Sequence, residues 1–304
     1  MSTNSSPEDR FSEECNSSSV DNREEHDSSP VSGQDKVIVT KNWILLDFPQ
    51  GSDLWKKLRQ GRATTTAVGA IAGHNRYDTP ADMLDYLSGR RLKTFTARQL
   101  QNMKRGTDNE DIARRTYMSS CKVVVFELGL VVSRADDRQG ASIDGFVIDS
   151  SNLSRPTDEY HIAELALLAE GIIEIKCPGK MYKPLIDHHN REQTVGVVLP
   201  SDEEIDNDIN IWENHYRHIQ HYYFDQMQQG MAILGKPWSD FIVYTPELMM
   251  VNRVPFCRTY YQRRLLKPVL SFLDKQLDPI LPPGYRVPIP EGRFIDHPEG
   301  KDSS

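Results

Sequence analysis

Two patterns alternate along most of the chain: short runs in which apolar residues alternate or cluster, and longer stretches with apolar residues every three or four positions. "KVIVTKNWILLDFPQ" opens with strand-like runs, and a helix follows from near Ser52, whose hydroxyl can cap it. "TTTAVGAIAGHN" begins with β-branched threonines and turns helical to about Gly73. "TPADMLDYLSGRR" has Thr79 at the cap and Pro80 at the first helical position. "NEDIARRTYMSSC" reads as an amphipathic helix. Three strands are expected next, in "KVVVFELGLVVS", "SIDGFVIDSS" and "EGIIEIKCP", the first two joined as an antiparallel meander. A long helix over roughly 211–234 leads into the strands "DFIVYTP" and "MMVNRVPF", and "TYYQRRLLKPVLSFLDKQL" forms a C-terminal helix. The expected fold class is α/β, with a central mixed β-sheet flanked by helices on both sides.

Composition changes this picture at the ends. Of the 304 residues, 38% are hydrophobic, enough for a core, yet the mean hydropathy is −0.57. Much of the polar excess lies in residues 1–36, with nine acidic against three basic residues and Phe11 as the one aromatic. Such a segment buries too little apolar surface to offset its ordering entropy. The expected organisation is a disordered acidic, Ser-rich tail over 1–40, a folded domain over 41–278 and a Pro-rich, partly disordered tail over 279–304. The N-terminal segment has no apolar h-region and is acidic, unlike a signal or transit peptide. A soluble, intracellular protein is expected, and the acidic Ser-rich tail hints at nuclear access in a eukaryotic or viral setting. Cys15, Cys121, Cys177 and Cys257 are far apart, which argues against a disulfide framework and against zinc or iron–sulfur ligation.

Chemistry enters at "GIIEIKCPGK". Residues two apart on a strand share a face, so Glu174 and Lys176 point together while Ile173, Ile175 and Cys177 point the other way. Burying charge is costly unless it is paired or binds a metal. Asp144, in "SIDG", lies at the end of the preceding strand. Asp144, Glu174 and Lys176 converging at one strand end would make a site for Mg²⁺, two carboxylates binding the ion and the ammonium lying near its water. By themselves Glu174 and Lys176 fit a solvated face of an edge strand better than a metal site.

In order along the chain, four further stretches give these residues a context. Asp144…Glu174–Lys176, within "IDG" and "EIKCP", resembles the PD-(D/E)xK nuclease superfamily, with its restriction-endonuclease-like core. More narrowly, the chain resembles the YqaJ-like viral recombinases and the phage lambda and viral alkaline exonucleases. "WKKLRQGRATTT", "GTDNEDIARRTY", "YYFDQMQQGMAILGKPWSDFIVYTPE" and "VNRVPF" match further elements of that family in sequence order, over roughly residues 50–275. The resemblance implies a Mg²⁺-dependent 5′-to-3′ exonuclease acting on double-stranded DNA ends, with Mn²⁺ as a substitute. It makes Glu110, Asp144 and Glu174 metal ligands, completed by the backbone carbonyl of Ile175. Lys176 becomes the catalytic lysine, with Gln226 reaching it or the water. A second ion near Glu110 and Asp144 would stabilise the leaving oxygen. Arg59, Thr66 and Ser142 match a pocket for the terminal 5′-phosphate, and arginine suits such bidentate recognition. A ring-shaped homotrimer and a single-strand annealing protein are the partners the resemblance suggests.

Charge agrees with a DNA-binding role. From Leu54 to Arg115 there are thirteen Lys or Arg against six Asp or Glu, in a chain of net charge −8. Two insertions depart from the family pattern. One, around 150–170, carries the spare carboxylates Glu164 and Glu170. The other, around 188–210, has an acidic stretch over 202–208 that would repel DNA and should lie away from its channel. His215, His218 and His221, spaced by three, drift around a helix and make a poor metal stripe. An endonuclease of the same superfamily, or a catalytically inactive DNA-binding module, is the competing reading.

Overall fold

The computed structural model describes residues 36–195 and 201–295, so residues 1–35 of the acidic tail expected over 1–40 lie outside the described residues, as do 196–200 and 296–304. The strands are β1 (Val37–Val39), β2 (Trp43–Leu46), β3 (Ala63–Thr64), β4 (Val123–Phe126), β5 (Leu130–Ser133) and β6 (Gln139–Ala141), then β7 (Gly145–Asp149), β8 (Gly171–Lys176), β9 (Trp238–Thr245), β10 (Leu248–Pro255) and β11 (Arg293–Phe294). They form two mixed sheets, with strand orders β11-β1-β2-β5-β6-β3 and β10-β9-β8-β7-β4. The fold class is the expected α/β with mixed sheets, but the single central sheet is replaced by two. The run "KVVVFELGLVVS" is the reason: Glu127 and Gly129 interrupt it, and its halves β4 and β5 join different sheets.

The second sheet positions the candidate residues. Its β8 runs antiparallel to β7 and parallel to β9. One face is covered by α4, whose Ala113 and Tyr117 pack with Val125, Val147, Ile173, Ile175 and Ile242. The other face meets α8, whose Phe224, Met227 and Met231 share a core with Phe146, Ile148, Ile172, Phe241 and Val243.

Local chemistry explains the helix starts. Ser52 accepts a hydrogen bond from the Trp55 N–H and caps α1 (Asp53–Arg59). Thr64 precedes α2 (Thr65–Ile71). Thr79 and Asp82 form a capping box around Pro80 at the start of α3 (Pro80–Leu87). Thr96 and Gln99 do the same for α4 (Ala97–Cys121). This helix begins well before the expected Asn109, because "GTDN" at 106–109 looks like a turn but continues the helix. In the insertions lie α5 (Ile162–Leu168), α6 (Lys183–Val195) and α7 (Asp202–Asn207). The long helix expected over 211–234 is broken: a π-helical turn over Trp212–Tyr216 ends before Gln220, which is extended, and α8 spans His221–Leu234.

At the C-terminus the chain is helical from Arg258 to Leu277 and then returns to the body. Strand β11 pairs in parallel with β1, so the described fold runs wider at both ends than the span 41–278. No helix among the described residues is long and apolar enough to cross a membrane.

Candidate metal and phosphate site

The alternation on β8 is as its sequence implies. Ile173 and Ile175 pack under α4 with Cys177 beside them, leaving Glu174 and Lys176 on the face that meets α8. Glu174 is only 2% exposed, and Lys176 Nζ donates to its Oε1. Asp144, just before β7, accepts the Ile175 N–H on Oδ2 at 2.7 Å, so its carboxylate is held against β8. Glu110 projects from α4 close enough for Asp144 and Lys176 to act on its ionisation.

These groups perturb one another's ionisation. Burial, then the Asp144 charge, pushes the Glu174 carboxyl up to about 8, against the pull of Lys176. Burial and Asp144 also raise the Glu110 carboxyl. Burial opposes the charge on Lys176, but Glu174 and Asp144 outweigh it and hold the ammonium above its ordinary range. Three carboxyl groups act on one ammonium and are donors of the kind a hard divalent cation takes, although their oxygens do not all lie within 4.8 Å of one another in the structure. The Cys177 thiol is pushed up to about 11 by burial and by Glu110, which keeps it protonated and unreactive.

Gln226 reaches the same place from α8. Gly230 on that helix lies so close to Ile172 that an added Cβ would meet its Cδ1 at 3.1 Å. Toward the other end, the Tyr223 ring lies 5.0 Å from Lys176 Nζ. The helix therefore runs antiparallel to β8. Gln226, three residues after Tyr223 and four before Gly230, shares their face and sits over Glu174. It is buried. Gln228 serves packing instead, donating to Pro255 O and accepting the Cys257 N–H.

The candidate anion pocket is built from α1 and the start of α2. Arg59 stacks on Trp55 at 4.3 Å, and its Nη2 donates to Thr64 Oγ1 at 2.9 Å and Thr66 Oγ1 at 3.0 Å. Its Nη1 is buried and without a partner, and burial brings the guanidinium down to about 10. Ser142, also buried, has an unpartnered Oγ. Thr65 Oγ1 donates to the Ser142 carbonyl at 3.2 Å, tying the threonine run to the strand that leads into Asp144. Thr64 escaped the sequence reading, although the triple threonine marks it. Arg114 escaped too: this buried arginine bridges Glu110, at 3.0 Å, and Glu127.

The spare carboxylates and histidines have other partners. Glu164 caps α5 and pairs with Arg155, and Glu170 accepts from Asn152. The acidic stretch over 202–208 docks on the C-terminal helical run, where Asp206 accepts the Arg258 N–H. His215 pairs with Asp208 at 3.8 Å, His218 stacks on His188 at 3.5 Å, and His221 turns toward His74. His74, His221 and Asp225 bring ligand-type atoms within 4.8 Å of one another. Their imidazoles stack face to face at 3.8 Å and 8°, however, and a metal must lie near the plane of each ring that binds it. Hydrogen bonds also engage their facing atoms: His74 Nδ1–H donates to Asp225 Oδ2 at 2.9 Å, and Tyr260 OH to Asp225 Oδ1 at 2.5 Å. The cluster braces α8.

Known proteins resemble the chain in sequence and in fold. The family model of the YqaJ-like viral recombinase domain matches residues 54–237, more than half of the chain. The fold is similar to that of an alkaline exonuclease (LHK-Exo) from Laribacter hongkongensis, with a TM-score of 0.50 and 23% identity over 75% of this chain and 94% of that one. A phage-related exonuclease from Haemophilus somnus 129PT aligns at a TM-score of 0.43 and 12% identity, over 72% of this chain and 94% of that one. No curated protein matches the chain.

Proposed function

The chain belongs to the YqaJ-like viral recombinase domain family, and from that premise we propose that it is a divalent-metal-dependent deoxyribonuclease that degrades double-stranded DNA from its ends in the 5′-to-3′ direction. Its use would be in recombination, repair or the processing of viral or mobile-element DNA. The observation that carries this reading is the buried Glu174–Lys176 pair beside Asp144, with Glu110 in their field. Asp144, Glu174 and the Ile175 carbonyl would hold Mg²⁺ or Mn²⁺, with Glu110 beside them. When bound, the cation supplies Lewis acidity, making water more acidic and neutralising phosphoryl charge. Lys176 and Gln226 orient the attacking water. Arg59, Thr64, Thr66 and Ser142 hold the terminal 5′-phosphate: the unpartnered donors on Arg59 and Ser142 support an anion there. A ring-shaped homotrimer and an annealing partner for the strand left behind belong to the same reading.

The test is degradation of linear 5′-phosphorylated duplex, linear 5′-hydroxyl duplex and covalently closed circles, with Mg²⁺ and with Mn²⁺. Linear phosphorylated DNA is expected to disappear while circles survive. Lys176→Ala should remove this activity, and Arg59→Ala should abolish the preference for the phosphorylated end. Cutting of circles would move the assignment to an endonuclease, and no cleavage under either metal would leave a binding module.

A further inference from the structure

A chain of aromatic rings starts at Lys176 and ends in solvent. Beyond the Tyr223 ring, which lies 5.0 Å from Lys176 Nζ, the Tyr222 ring follows at 4.3 Å. Tyr222 meets Tyr77 edge to face, at 6.1 Å and 73°. The Arg76 guanidinium lies 4.7 Å from the Tyr77 ring centroid, and its Nη2 donates to the Tyr77 hydroxyl at 2.5 Å. Tyr182 joins the group through Tyr223 and feels both Lys176 and Tyr77. Tyr77 is 65% exposed, and among the described residues Arg76 has no carboxylate partner. One exposed tyrosine is ordinary on a protein surface. A connected group of four that leads to the charged pair on β8, with an arginine at its outer end, is what stacking on nucleobases requires.

The loop that carries Tyr77 is fixed. His74, just after α2, is tied to Asp225 on α8, and Asn75 Oδ1 accepts the Tyr77 N–H at 2.8 Å. Helix α2 runs antiparallel to α8. Thr65 lies near Gly230 at one end, and at the other an added Cβ on Gly69 would meet Tyr222 Cβ at 2.8 Å. Along α8 the order is therefore the Arg59 pocket, Glu174 under Gln226, Lys176 under Tyr223, and then Tyr222 with Tyr77. The rings lie on the far side of the carboxylates from the phosphate pocket.

A strand with its 5′-phosphate on Arg59 would cross the carboxylates and continue onto the rings. We propose that Tyr77, backed by Tyr222 and flanked by Arg76, is a stacking platform for one unpaired nucleobase on the 3′ side of the scissile phosphate, where the strand leaves its duplex. The proposal rests on the nuclease reading above. Stacking on a π-face is indifferent to base identity, which suits an enzyme that must pass every sequence.

The experiment uses full-length Lys176→Ala protein and 5′-phosphorylated duplexes carrying 2-aminopurine at successive positions from the 5′ end, with Ca²⁺ present. Stacking is expected to quench the fluorophore at one internal position. Tyr77→Ala should relieve that quenching and weaken binding about tenfold, within the range for loss of one base stack. Tyr77→Trp should restore both. Binding and quenching unchanged in Tyr77→Ala would overturn the platform while leaving the nuclease reading intact. No DNA binding by the Lys176→Ala protein would overturn both.

Discussion

Glu174 is the residue on which pH should act. Its carboxyl is raised from 4.5 to about 8 by burial and by Asp144, so between those values the folded protein holds a proton that the unfolded chain has released. The stability it contributes is fully present below pH 4.5 and is lost as pH rises through 8. Lys176, also raised, loses its contribution only above the ordinary lysine range and leaves this window clear. In a chelating buffer the melting temperature should fall from pH 5 toward pH 9, by an amount on the order of 1–4 kcal/mol of stability. Glu174→Gln should flatten that fall. Because the proposed cation would bind the ionised carboxylate, added Mg²⁺ should raise the melting temperature more at pH 8.5 than at pH 6. A wild-type profile as flat as that of the variant would sink the account. Glu174 and Lys176 were legible in sequence because one strand with two faces decides where they point. Arg59 and Thr66 were marked only by the family resemblance, and the structure shows the hydrogen bond between them. Tyr77 and Tyr222 were not legible, since their contact depends on α2 and α8 packing together from distant parts of the chain.

The crossing of α2 and α8 is where element packing controls the candidate site. A glycine inside a helix ordinarily costs stability, and Gly→Ala there gains up to about 1 kcal/mol. At Gly69 the new Cβ would meet Tyr222 Cβ at 2.8 Å and Cα at 2.9 Å, and backbone yields only by moving the helix. Overpacking of this kind costs about 1–3 kcal/mol and should win. Gly69→Ala is thus expected to lower the urea midpoint, and to lower nuclease activity more than stability alone explains, because α8 carries Gln226 and Tyr223. A raised midpoint would show that the helices separate freely. The sequence announced helices with capping boxes, as at Thr79 and Thr96, because a cap is a local hydrogen bond. It hid the break before α8, where "RHIQ" holds neither proline nor glycine and the chain turns so that Trp212 can stack on His221 at 3.9 Å. It hid the split into two sheets for the same reason: β4 and β5 read as one run, and only their distant partners β7 and β2 separate them.

For the whole molecule, the test is whether the Pro-rich segment after Leu281 belongs to the fold. Arg62 is fully buried and donates to Leu58 O, Asp137 O and Val287 O, the last at 2.8 Å. Arg286 bridges Gly61 O at 3.0 Å and Asp278 at 2.7 Å, and the Ile295 N–H donates to Val39 O at 2.8 Å. The segment thereby closes over the loop that joins α1 to β3, immediately beside Arg59 and Thr64. Truncation after Leu281 would remove an acceptor from a buried guanidinium and expose the edge of β1. Each hydrogen bond to a charged group is worth about 1.5–3 kcal/mol, and in a fold of this size each kcal/mol moves the melting temperature about 2–4 °C. A drop on the order of 10 °C is expected by calorimetry. The proposed 5′-phosphate preference should weaken at temperatures where the truncated protein is still folded, because Gly61 and Arg62 lead directly into the candidate pocket. Arg286→Ala, which removes two contacts and keeps the chain, should give a smaller drop in the same direction. Unchanged melting in both variants would mean that the pocket is held by α1 and α2 alone.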